Sequence, residues 1–279
     1  MTTRRDFVRA TSAAVMASTL PRRLRATAPA RLDAVGIQLY TVRSEMAKDV
    51  EATLARVASI GYREVEFAGY FKREPAALRA TLDSLKLKAP ATHVGLEALE
   101  SDWDGAAAAA KTIGHRWLIV PSLGRGQLAS VDAIKATAAR LNALGRKAKD
   151  AGLRVGFHNH NAEFRVTEGV VPLDVLGAEL DPALVDLEMD LYWTINAGAD
   201  PLAYFKKFAG RIRLVHVKDS GGAPQHEMRD VGAGTIDWKS LFAQRKLAGI
   251  EHFIVEHDQP KDAFASAAAS YDYLSKLNF

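Results

Sequence analysis

The chain has 279 residues, no cysteine and a formal charge of +4. The missing cysteine excludes a disulfide framework, a thiolate metal site and a lipid-anchoring Cys, and no apolar run reaches the ~18 residues that would mark a stable membrane insertion. The positive charge sits at one end: Arg4, Arg5, Arg9, Arg22, Arg23 and Arg25, with one acid, Asp6, lie in the first 30 residues, and the other 249 carry 31 basic and 32 acidic residues, net −1; a body so balanced gives no reason to expect a nucleic-acid partner.

Residues 1–30 read as a twin-arginine signal peptide. Thr3-Arg4-Arg5-Asp6-Phe7-Val8-Arg9 is followed by the uncharged run Ala10–Leu20, and Ala28-Pro29-Ala30 offers small residues for cleavage. That three-part layout is the layout of an export signal, with the twin-arginine machinery as partner and the periplasm as destination. The run of 11 residues is too short to span a bilayer at about 1.5 Å per residue.

Residues 31–279 read as a single domain built from one repeating unit: an amphipathic helix, a glycine, then a short apolar run. Gly61, Gly114, Gly152, Gly210 and Gly249 mark the joints, where a residue without Cβ can take the left-handed conformation that ends a helix. Eight strands are predicted, at 35–40, 64–69, 89–95, 116–122, 154–160, 185–192, 212–218 and 252–258. Helices are predicted near 46–60, 75–86, 103–113, 131–150, 173–180, 201–209, 237–248 and 261–276, with Pro201 at a helix start, where its missing N–H is harmless. Helix and strand alternating through short links imply parallel strands covered by helices. Eight such units in about 250 residues point to a closed (β/α)8 TIM barrel. An open doubly wound sheet is the competitor, but no Gly-x-Gly-x-x-Gly follows the first strand.

In such barrels the active site lies at the C-terminal ends of the strands. The last four strands place ligand-type residues there in succession: Phe157-His158-Asn159-His160-Asn161, Leu187-Glu188-Met189-Asp190-Leu191, Leu214-Val215-His216-Val217-Lys218-Asp219 and Ile254-Val255-Glu256-His257-Asp258. Alternation sends Val155, Phe157, Leu187, Met189, Val215, Val217, Phe253 and Val255 to the helix layer, and His158, His160, Glu188, Asp190, His216, Lys218, Glu256 and Asp258 inward. Taken singly these have plainer roles: a histidine hydrogen-bonded in the core, Asp219 and Asp258 as exposed loop residues, Glu188 paired with Lys218 or Arg213. Taken jointly, four strands with the same face and the same end call for a compensating divalent cation, because unpaired buried charge is costly; imidazole with carboxylate suits Mn2+, Co2+, Zn2+ or Fe2+.

The chain resembles the sugar phosphate isomerase/epimerase family of the xylose isomerase-like barrel superfamily over about 35–270. The resemblance rests on Gly36-Ile37-Gln38-Leu39-Tyr40-Thr41-Val42-Arg43, Val65-Glu66-Phe67, Phe157-His158-Asn159-His160, His216-Val217-Lys218-Asp219, Gly232-Ala233-Gly234-Thr235-Ile236-Asp237-Trp238 and Val255-Glu256-His257-Asp258. It implies one divalent metal ion (Mn2+, Co2+, Mg2+, Zn2+ or Fe2+) held by one residue from each of strands five to eight, where the family has Glu, Asp, His and Glu. Asp190, His216 and Glu256 match the last three places; the first falls on His158, with His160 as the same-face alternative, and is a departure. Trp193 stands where many members carry His, and either closes the pocket, stacks on a sugar face or packs at the rim. Glu163 is a candidate for the missing carboxylate, and Arg229 falls roughly where relatives place a substrate-binding Arg. Glu66 and His93 are candidates to bind substrate hydroxyls, and Gln38 and Tyr40 to line the barrel floor. The Gly232–Gly234 loop offers backbone N–H groups to an anion, while Asp237 more simply caps the following helix.

The function implied is proton abstraction next to a carbonyl of a sugar or sugar derivative through an enediolate, with Glu256 as base and His158, Glu163 or Lys218 as proton donor. Isomerisation or epimerisation comes first; a lyase or dehydratase acting on a 3-keto-sugar or glycoside comes next, because a His at 158 removes one of the two carboxylates a symmetric epimerisation uses. A non-catalytic periplasmic carbohydrate-binding barrel is the alternative of a different class. The sequence leaves open whether the chain forms a homo-oligomer.

Overall fold

The structure, a computed structural model, describes residues 30–279; the proposed signal peptide lies outside the described residues apart from Ala30. Eight parallel strands close into a barrel: β1 (Gly36–Gln38), β2 (Glu64–Phe67), β3 (Lys88–His93), β4 (Trp117–Val120), β5 (Arg154–His158), β6 (Val185–Asp190), β7 (Ile212–Val217) and β8 (His252–Val255). Each pairs with its sequence neighbours, and β1 closes the ring against β8 through Gly36↔Ile254 and Ile37↔Val255.

One main helix follows each strand: α1 (Val50–Ile60), α2 (Pro75–Leu85), α3 (Trp103–Ile113), α4 (Val131–Asp150), α5 (Pro172–Glu179), α6 (Pro201–Lys207), α7 (Trp238–Ala243) and α8 (Ala263–Lys276). Their starts follow from local chemistry: the side chains of Asp49, Asp102, Ser130 and Asp262 accept from otherwise unpaired N–H groups of the first turn. Gly61 and Gly114 close α1 and α3 at φ +130° and +95°, where a Cβ would clash. The helix expected over 237–248 breaks at Gln244 into α7 and a short Arg245–Ala248 turn.

Two apolar cores result. The large one lies between strands and helices and takes the outward residues Val155, Phe157, Leu187, Met189, Val215, Val217, Phe253 and Val255. The small one, Ala91, Trp117, Ile119, Leu214 and Ile254, fills the barrel itself and makes a dry plug beneath the mouth. Trp117 satisfies its indole there by donating Nε1–H to Asp186 (2.8 Å).

The strands are shorter than the predicted runs at their C-terminal ends. His160, Lys218, Glu256 and Asp258 stand just beyond the ladder. They keep their inward direction through other bonds: Glu256 N–H donates to Val217 O (3.2 Å) and His257 N–H to Thr41 Oγ1 (3.0 Å). Leu191–Asn196 forms a short helix directly after β6, and Asp219–Ser220 pairs antiparallel with Met228–Arg229 in a small hairpin over the rim. No described helix is long and apolar enough to cross a membrane.

Candidate functional site

The C-terminal ends of the strands enclose a cavity of about 650 Å3, lined by Tyr40, His93, His158, His160, Lys218 and Glu256 among others. Register builds its wall. His158 on β5 stands level with Glu188 on β6, and Asp190 stands level with His216 on β7.

Lys218 is the centre of the upper layer. Only 1% of its side chain is exposed, and Nζ lies 2.7 Å from Glu256 Oε2, 2.8 Å from Asp258 Oδ1 and 3.0 Å from Asp190 Oδ2. Burial alone would discharge the lysine, but the three carboxylates override it and hold its pKa well above the ordinary value. Burial likewise works against an ionised Glu256, and Lys218 with His216 outweighs it, so Glu256 is held far below the usual carboxylate range. Asp190 divides its labour. Oδ1 accepts Trp193 N–H (2.8 Å) and so caps the helix that follows β6, while Oδ2 is buried and, although close to Lys218, has no partner in hydrogen-bond geometry.

Below lies a layer of imidazoles and carboxylates. His216 places Nδ1 2.8 Å from Glu256 Oε2 and Nε2 2.7 Å from Glu66 Oε2. Burial opposes its charge, but Glu188 and Glu256 raise its pKa well above that of free histidine. His93 Nε2 and His158 Nδ1 lie 2.8 and 3.0 Å from Glu188 Oε2, and burial keeps both rings towards the neutral form. Burial, then mutual repulsion, raises the pKa of Glu66; burial also raises those of Glu188 and Asp190. Glu66 Oε1 and Glu188 Oε1 are buried without a partner. Five carboxylates, Glu66, Glu188, Asp190, Glu256 and Asp258, thus face one ammonium and one charged imidazole. Such an excess fits a divalent cation, for which Asp190, His216 and Glu256 offer ligand atoms within 4.8 Å of one another.

Other predicted positions fall elsewhere. Glu163 is buried beside the wall, where Oε2 accepts His160 N–H (2.8 Å) and fixes the loop after β5; it does not line the cavity. Arg229 is exposed on the rim hairpin and donates to Glu227, away from the cavity, because the hairpin turns it outward. Trp193 is half-buried, 5.7 Å from the His160 ring, with Nε1 unpartnered, and is not a lining residue. Gln38 is buried and donates to Glu66 (2.9 Å). Tyr40 is a rim residue, 43% exposed, rather than part of the floor, since the chain leaves β1 into a short helical turn there. Glu188 pairs with His93 and His158 instead of Lys218 or Arg213, and Arg213 goes to Glu251.

Asp219 is not an exposed loop residue. It is buried and accepts from Gly232 N–H, Ile236 N–H and Trp238 Nε1–H at 2.9, 3.2 and 2.9 Å. Of the Gly232–Gly234 amides, that of Gly232 therefore already holds an anion, this chain's own carboxylate, while Ala233 N–H goes to Asp230 O. A Cβ on Gly234 would lie 2.1 Å from Asp219 Oδ1, which explains the glycine. Asp237 caps α7 as read from sequence. Glu188, turned inward by alternation but given no individual place by the family pattern, and Arg43, whose guanidinium stacks 4.0 Å over Tyr40 at the cavity rim, are site residues that the motifs do not single out.

A closed parallel barrel with imidazoles and carboxylates gathered at its C-terminal mouth defines a TIM barrel whose mouth offers candidate cation ligands. Residues 54–277 match the xylose isomerase-like TIM barrel family, and the chain belongs to that family. It is similar to a sugar phosphate isomerase/epimerase of Parabacteroides distasonis ATCC 8503, at 27% identity with a TM-score of 0.76, covering 87% of this chain and 98% of that one. It is also 22% identical over 272 residues to the inosose dehydratase of Lacticaseibacillus casei, covering 82% of this chain and 91% of that protein. The inosose dehydratase of Geobacillus thermodenitrificans (strain NG80-2) is 31% identical over 137 residues, 43% of this chain and 45% of that protein, so the chain spans less than half the length of this relative.

Proposed function

We propose that the protein is a metal-dependent enzyme that removes a proton next to a carbonyl on a sugar or sugar-derived substrate. The observation that carries this is Glu256: a buried carboxylate kept ionised by Lys218 and His216, facing the cavity beside the unsatisfied Asp190 Oδ2. Asp190, His216 and Glu256 would hold the cation, with His158 Nε2, 3.8 Å from Asp190 Oδ2, as the strand-five contribution and His160 as its alternative. Bound there, a divalent cation supplies Lewis-acid polarisation of a carbonyl and neutralises charge developing on its oxygen.

The chain's own groups do the rest. Glu256 takes the proton. Lys218 stays charged at the cavity wall and stabilises negative charge on the substrate. His158 and His160 lie across the cavity, and burial lowers the pKa of both, that of His160 to about 4. That opposite wall therefore presents neutral imidazoles, with Glu163 turned away. One ionised carboxylate on one face suits isomerisation, where one group shuttles the proton, and the likeness to sugar phosphate isomerase/epimerases supports that outcome. The inosose dehydratase relatives favour a second reading, loss of a β-substituent by a lyase. Turnover in D2O with added metal separates them: an isomerase leaves deuterium on carbon in a product of unchanged formula, and a lyase releases a leaving group and an unsaturated sugar. Metal-loaded protein without turnover across sugars and keto-glycosides would sink both in favour of a binding protein.

The leader sequence supports export by the twin-arginine route, and thus a periplasmic, unphosphorylated substrate. Replacing Arg4 and Arg5 with Lys is expected to retain precursor in the cytoplasm; unchanged periplasmic recovery refutes it.

A further inference from the structure

We propose that His93, His158, His216 and Glu188 form a second, deeper metal seat, distinct from the Asp190–His216–Glu256 set and selective for a nitrogen-preferring transition metal such as Zn2+ or Co2+. Three imidazole nitrogens converge on one oxygen: His93 Nε2, His158 Nδ1 and His216 Nε2 lie 2.8, 3.0 and 3.4 Å from Glu188 Oε2. Ligand atoms of all four residues fall within 4.8 Å of one another, and they come from β3, β5, β6 and β7. The rings approach from different sides: His93 and His216 are nearly parallel (12°), with His158 tilted 55° and 61° to them.

A hydrogen-bonded cluster alone leaves two facts unexplained. Glu188 is fully buried with Oε1 unpartnered, and so is its neighbour Glu66, an arrangement whose desolvation is not repaid by protein donors. A cation above them offsets that negative charge. His216 turns Nδ1 to the upper carboxylates and Nε2 to the lower ones, so it separates two seats of different chemistry: an oxygen-rich one above and a nitrogen-rich one below. Three imidazoles, of which His216 must give up a proton to bind, and one carboxylate make a donor set for Zn2+, Co2+ or Fe2+ rather than Mg2+ or Ca2+. An outer partner of the kind a ligating imidazole takes is present at the other nitrogen of His216, where Glu256 Oε2 lies 2.8 Å from Nδ1, and Gln38 fixes the neighbouring Glu66 by donating Nε2–H to it. Entry is open from the cavity, where His93 keeps 12% of its side chain exposed.

The test is metal stoichiometry of the full chain, stripped with chelator and reloaded with Zn2+, with anomalous diffraction from Zn2+-loaded wild-type crystals as a measurement that needs no variant. The expected result is two equivalents per chain, falling to one in His93→Asn and in Glu188→Gln and also to one in Asp190→Ala, with an anomalous peak between His93 and Glu188. One equivalent that survives Asp190→Ala and disappears in His93→Asn upholds the deep seat and removes the metal assignment made under the proposed function. One equivalent lost in Asp190→Ala and untouched by His93→Asn and Glu188→Gln, or a single peak between Asp190 and Glu256, overturns the deep seat and leaves that assignment standing. No bound metal in folded wild type overturns both.

Discussion

The two halves of the barrel do different work. Strands β5 to β8 bring His158, Glu188, Asp190, His216, Lys218 and Glu256 to the mouth, all buried. Strands β1 to β4 bring Gln38, Glu66 and His93, and otherwise fill the interior with Ala91, Trp117 and Ile119. The same scaffold thus keeps most of its buried charge on one arc and places on the other a few partners for that charge and most of the apolar plug. The difference teaches that the second half should govern turnover and cation binding, and the first half stability, with Glu66 and His93 as the bridge between them.

The sharpest way to break that division is Glu256→Gln. It keeps the shape and removes the proposed base, so kcat is expected to fall by roughly 10²–10⁴ with the circular dichroism spectrum unchanged; retention of a tenth of wild-type kcat would move the base elsewhere. Next comes Lys218→Met. Three buried or half-buried carboxylates lose their ammonium, and the metal-free protein is expected to lose about 3–5 kcal/mol in urea unfolding. Saturating Mn2+ should recover a good part of that loss in the variant, and equal loss with and without metal would show that no cation reaches Asp190 and Glu256.

The first half offers a pH test. His115, at the entry to β4, is buried with Nδ1–H donating to Ala89 O (2.7 Å), and burial lowers its pKa to about 4. Between pH 6.5 and about 4 the unfolded chain takes up a proton that the folded chain refuses. Stability therefore falls as pH drops through that window, by on the order of 3 kcal/mol, and levels off below it. His115→Gln should flatten this acid limb without altering kcat; an unchanged limb would assign it to other groups. The smallest effect is Trp117→Phe, which keeps the plug and deletes the donor to Asp186. Asp186 keeps Arg154 on the same oxygen, so about 0.5–1.5 kcal/mol of stability should be lost, with KM unaffected.

Much of this division was legible before the structure. Period-two alternation sorted Val215 and Val217 from His216 and Lys218, because every strand lies between a dry helix layer and the barrel interior. Gly61 and Gly114 marked helix ends because their backbone is left-handed there. Alternation loses its hold beyond the ladder. Glu163 and Arg229 sit in a turn and a hairpin, where direction depends on the bonds that fold the loop: one to His160 N–H, the other to Glu227. Asp219 looked like a surface residue because the three groups it binds lie 13 to 19 residues further on. The convergence of His93 on Glu188 joins positions 95 residues apart, and only barrel closure brings them together.

Ala30 and Phe279 clasp each other through two backbone hydrogen bonds, Ala30 N–H to Phe279 O (2.8 Å) and Phe279 N–H to Ala30 O (3.0 Å). Their surroundings include Glu64, Lys88, Glu251 and Phe253, at or just before the starts of β2, β3 and β8, so the clasp lies on the underside of the barrel. A solid support or fusion partner joined at residue 30 or residue 279 would hang from that underside and leave the mouth facing outward. A short bridge from 279 to 30 would turn the chain into a ring, free to be reopened in any surface loop.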